Sequence, residues 1–167
     1  MNENHLYLYH MVNEIDGEIY TSSPLDALNK GLNRKTVTWW YTNGGSLFRD
    51  LTERFKPINS PKWIDFKLAF GAELEQPAES HFRFPVFSEK ILVFNQDIST
   101  DLFAYKEDQY DGGKGNFTVG LPSKENLIKQ YWESMNTLDE YLKHKPYKNP
   151  QILIFETVPA KLIEFIE

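Results

Sequence analysis

Large apolar and polar side chains alternate through HLYLYHMVN, residues 5 to 13. Leu6, Leu8 and His10 fall on one face, Tyr7, Tyr9 and Met11 on the other, which is the period of a half-buried strand. A second strand over 18–22 is expected to pair with it through a turn at Asp16-Gly17. Ser23-Pro24 then predicts a short helix running to Gly31, with Ser23 as cap and Asp26 near the positive end of the dipole. TVTWWYT, residues 36 to 42, reads as a strand because it is β-branched and aromatic almost throughout. In SLFRDLTERF, Leu47, Phe48, Leu51 and Phe55 recur at helical spacing before Pro57.

The pattern over 58–80 is mixed and fixes no element, whereas 81–97 predicts two strands or one strand bent at Pro85. A short helix is expected over 101–110, followed by a loop at DGGKGN. One long helix is expected over 124–144, capped by Ser123 and ended by Pro146, with Leu127, Ile128, Tyr131, Trp132, Met135, Leu138 and Leu142 on one side. The chain closes with a strand through Phe155, a break at Pro159 and a last short strand. Strands and helices mixed with antiparallel turns make this an α+β fold: one domain over residues 1–167, a mainly antiparallel sheet and two or three helices.

Length and composition sharpen this picture only in places. A chain of 167 residues has room for one core. Apolar residues at 41% and charged residues at 25% exclude a disordered or fibrous chain. Lys and Arg number 18 against 24 Asp and Glu, a net charge of −6, so duplex nucleic acid is not an expected partner. There is no cysteine, which removes disulfides, thiolate nucleophiles and Cys-based zinc sites and fits a cytoplasmic protein. The start MNENHLYLYH is not patterned as a leader, and no apolar run has the length of a membrane span. The departure from average is the 15% of aromatic residues, which serve cores and binding grooves equally well.

Candidate chemistry is sparse. DGGKGN lacks the spacing of a phosphate-binding P-loop and reads as a surface turn. His5, His10, His81 and His144 are scattered without metal-ligand spacing, so no metal is expected, and no G-x-S-x-G elbow is present. Glu73 and Glu75 share a face if their segment is extended, and a buried pair of that kind would raise one pKa. His10 at a strand end, Tyr41 in WWYT and Glu156 in ILIFETVP remain.

LYHMV followed by WWYT and a helix resembles, over about the first 60 residues, the first two motif strands of the His-Tyr-Glu type of ADP-ribosyltransferase fold. The resemblance implies that NAD is the substrate, that His10 binds its ribose and that Tyr41 stacks on the nicotinamide. Glu156, Glu73 and Glu75 are the candidates for the carboxylate that stabilises the cationic transition state, and Glu156 has the expected strand context. Met11 stands where that family has glycine, which holds the backbone further from a nucleotide. The competing expectation is a noncatalytic module, an inhibitor or immunity-type protein, that binds a protein partner through aromatic surface rimmed by acid. On that reading His10 is a core histidine and Trp39-Trp40-Tyr41 are core packing.

Overall fold

A computed structural model of the chain describes residues 6–12, 14–15, 18–19, 24–34 and 52–167. Tyr41, the whole strand expected over 36–42 and the capping Ser23 lie outside the described residues. Three strands, β1 (Tyr7–Met11), β5 (His81–Pro85) and β9 (Glu164–Ile166), form one antiparallel sheet in the order β1-β5-β9. The second antiparallel sheet has the order β4-β8-β6-β7, from β4 (Phe70–Ala72), β8 (Pro150–Ile154), β6 (Ile91–Asn95) and β7 (Asn136–Thr137). Two short strands, β2 (Glu14–Ile15) and β3 (Glu18–Ile19), pair antiparallel with each other. β1 pairs with β5, while the described part of 18–22, Glu18–Ile19, pairs with β2: the register Leu8↔Phe84 and His10↔Phe82 sets large side chains together on the buried face.

The four-stranded sheet is covered on both sides, which explains why ILVF and QILIF are unbroken apolar runs. Ile91, Val93, Ile152 and Ile154 face the three-stranded sheet, packing with Leu8, Phe82 and Phe84. Leu92, Phe94, Leu153 and Phe155 pack instead against two helices, α2 (Gln96–Tyr110) and α3 (Lys124–Glu133), and against Ile64 and Phe66. Much of the aromatic excess sits in this second layer. Phe94 stacks on Tyr131 with ring centroids 4.4 Å apart, and Phe66 meets Phe94, Tyr131, Trp132 and Phe155.

Among the described residues there are four α-helices, where two or three were expected. The long helix expected over 124–144 divides into α3 and α4 (Leu138–His144), with β7 between them. Asn136 and Thr137 leave the helical path to pair with Val93 and Leu92. Thr137 then starts α4 with a capping box: its hydroxyl accepts from the Glu140 N–H, and the Glu140 carboxylate accepts from the Thr137 N–H. α2 also begins earlier than expected, because Asn95 at the end of β6 accepts from the Asp97 N–H and caps it directly. The first helix, α1 (Pro24–Lys30), ends at Gly31, whose φ of +85° suits glycine and whose missing Cβ leaves room for the Val158 carbonyl. No helix among the described residues is long and apolar enough to cross a membrane.

Candidate functional site

The two sheets touch where β1 passes β4. Tyr9 and Glu73 exchange both backbone hydrogen bonds, at 3.0 and 2.7 Å, and this bridge is the hinge line between the sheets. Beside it opens a cleft of about 800 Å³, within the range of small-molecule sites. Its wall comes from β1, from β4 and the 73–75 segment that follows, from the start of β8, and from the α4–β8 connection.

His10 lies in this wall. It is only 4% exposed, held between Phe70 and Phe82 with ring centroids 5.8 and 6.4 Å away. Its Nδ1 is 2.7 Å from the Gly71 carbonyl oxygen. A carbonyl only accepts, so Nδ1 carries the proton and Nε2 is left as a bare acceptor. Nε2 is buried and has no hydrogen-bond partner among the described residues. Burial holds the imidazole below its ordinary pKa of 6.5, outweighing the hydrogen bond to Gly71, so the ring is neutral at pH 7.

This has a consequence for stability. The unfolded chain takes up a proton at His10 near pH 6.5, and the folded chain only at lower pH. His10 therefore contributes its full stabilisation above that pH and loses it as pH falls towards the folded value. Urea denaturation between pH 7.5 and 5.5 is expected to show wild type losing up to about 1.4 kcal/mol more per pH unit than His10→Phe, the limit for one proton. Identical slopes in the two proteins would contradict a buried neutral His10.

The other expected residues are placed differently. Tyr41 lies outside the described residues. Glu156 does not line the cleft. β8 ends at Ile154, and Glu156 sits in the following turn, three residues or roughly 10 Å along the chain from Leu153, which pairs with Gly71. Its carboxylate accepts from the Ser88 hydroxyl and has Lys90 Nζ 3.9 Å away, so it ties the β5–β6 connection to the end of β8. The carboxylates that do line the cleft are Glu73 and Glu75, both exposed. Tyr9 and Glu73, paired directly, share one side of the ladder, and His10 takes the other.

Gln96, Lys145, Lys148, Asn149 and Gln151 also line the cleft, and sequence pattern points to none of them. Gln151 accepts from the Tyr131 hydroxyl at 2.7 Å and donates to Ser99 at 3.1 Å. Lys145 and Lys148 lie on the α4–β8 connection. Their only signal was the run KHKPYK, which reads as a helix end. His81 does not join His10: it lies edge-on to Tyr9, on the opposite face of β1, with Nδ1 bonded to the Glu79 carbonyl. DGGKGN is an exposed turn, with Gly112, Gly113 and Gly115 at positive φ. No family model, no curated protein and no solved structure matches the chain.

Proposed function

We propose that the cleft binds NAD and that the protein is an ADP-ribosyltransferase-like enzyme acting in the cytoplasm. The observation that carries this reading is a cleft of small-molecule size lined by His10, Glu73 and Glu75. Nε2 of His10 is closed off from solvent, so a ribose hydroxyl donates to it only once the ring turns toward the cleft. The nicotinamide end of NAD is a cation, and cleavage of its glycosidic bond builds positive charge on the ribose. Carboxylates fixed beside that carbon stabilise the transition state. Glu73 and Glu75 line the cleft and Glu156 does not, so the reading assigns this role to the 73–75 segment, and to Glu75 above all, because Glu73 takes the side of the ladder opposite His10 whereas the chain bends at 74–75. Tyr41 is the aromatic ring expected to stack on the nicotinamide.

Binding is tested by thermal unfolding. At a hundredfold excess over Kd, NAD is expected to stabilise the folded chain by about 2.7 kcal/mol, a rise in Tm of roughly 5–10 °C. His10→Phe fills the space between Phe70 and Phe82 and removes the acceptor, so it should lose that rise. An unchanged wild-type Tm at millimolar NAD would end the proposal. That outcome would favour the second reading, a protein-binding module, for which the observation is exposed Tyr110, Phe117 and Val119 near Asp108 and Asp111.

A further inference from the structure

Lys145 is the one non-glycine residue with positive φ among the described residues, at φ 42° and ψ 58°. It ends α4 in the left-handed conformation, with its N–H donating to the Tyr141 carbonyl at 2.7 Å. Glycine suits that position, since a Cβ there costs roughly 1–2 kcal/mol. The chain places a lysine at this strained point, and that lysine lines the cleft. Backbone strain retained at a ligand-sized cavity is an observation to be explained by function.

Balancing the dipole of α4 does not account for it, because Lys143 and His144 already occupy the last turn. Lys148, three residues on, also lines the cleft. Neither Lys145 nor Lys148 has an ion-pair partner among the described residues. Both are exposed, on a chain whose net charge is −6. The carbonyls at the end of α4 repel an anion, so an anion bound there needs side-chain cations beside it.

We propose that Lys145 and Lys148 form an anion-holding lip of the cleft, which takes the diphosphate of a nucleoside diphosphate. The lip rests on the reading of the cleft as a nucleotide site, and its test separates the two. ADP and pyrophosphate are the ligands to titrate, with adenosine as the phosphate-free comparison and NAD measured alongside. Lys145→Gly is expected to raise Tm by about 2–4 °C, by relieving the backbone. It should also weaken ADP by about tenfold, as the loss of one charge-assisted contact does, and leave adenosine unchanged. Lys145→Asn, which also tolerates the left-handed backbone, and Lys148→Gln should weaken ADP similarly. The ADP affinity of wild type should fall with added salt.

A gain in Tm with no change in ADP affinity would overturn the lip and leave Lys145 as a helix end alone. No binding of ADP or pyrophosphate to wild type would overturn it too. Binding of ADP that depends on Lys145, in a chain that neither binds nor cleaves NAD, would uphold the lip and remove the transferase reading. NAD bound equally well by wild type and Lys145→Gly would uphold the transferase reading and remove the lip.

Discussion

Phe66→Ala is expected to cost 3–5 kcal/mol of folding stability, roughly 10 °C in Tm, although residue 66 lies in no strand or helix. Its ring is fully buried, with the centroids of Trp132, Phe155, Phe94 and Tyr131 at 5.4, 5.6, 5.8 and 6.2 Å. Removing it deletes transfer free energy and leaves a cavity walled by rigid rings. Those rings cannot close the gap, because Tyr131 is stacked on Phe94 and the Trp132 indole N–H donates to the Thr52 carbonyl at 2.8 Å. Trp132 and Phe66 thus hold the 52–68 segment against α3. Urea denaturation measures the loss, and Phe66→Leu, which fills part of the space, should fall between wild type and alanine. A cost for Phe66→Ala under about 1.5 kcal/mol would mean that this layer is not packed as described.

The location of that keystone illustrates what sequence pattern carries and what it does not. ILVF and QILIF were legible as strands because burial on both faces writes an apolar run. Alternation placed His10 among leucines, and its face is the buried one. Segment 58–80 was illegible for a different reason: turns stabilised by distant partners leave no period, and Phe70–Ala72 becomes a strand only by pairing with 152–154. Helical spacing ran straight through Ser134–Thr137, so the break there was hidden, although Thr137 and Glu140 carry the spacing of a capping box. Glu156 looked strand-borne because the apolar run reaches Phe155, yet the ladder stops at Ile154. Lys145 had no signature at all, since a left-handed lysine looks like any other lysine in a sequence. A cleft assembled from β1, 73–75 and 141–153 is a product of long-range pairing, and of its lining the sequence pattern points only to His10 and the two glutamates.

Those glutamates give the proposed chemistry its sharpest expectation. In the double variant Glu73→Gln with Glu75→Gln, release of nicotinamide from NAD is expected to fall by about 10²–10³, the loss typical of removing a group aimed at transition-state charge. NAD affinity should change by less than about threefold, because the developing cation is stabilised far more than the ground state. Both side chains are exposed, so glutamine at these positions should leave Tm within a degree or two. Glu156→Gln provides the contrast. It breaks the contacts with Ser88 and Lys90 but removes nothing from the cleft, so nicotinamide release should stay within about twofold of wild type. Measured side by side, the two variants decide which end of β8 the reaction belongs to. Retained activity in the double variant with loss in Glu156→Gln would move the chemistry out of the cleft beside His10 and into the turn that follows Ile154.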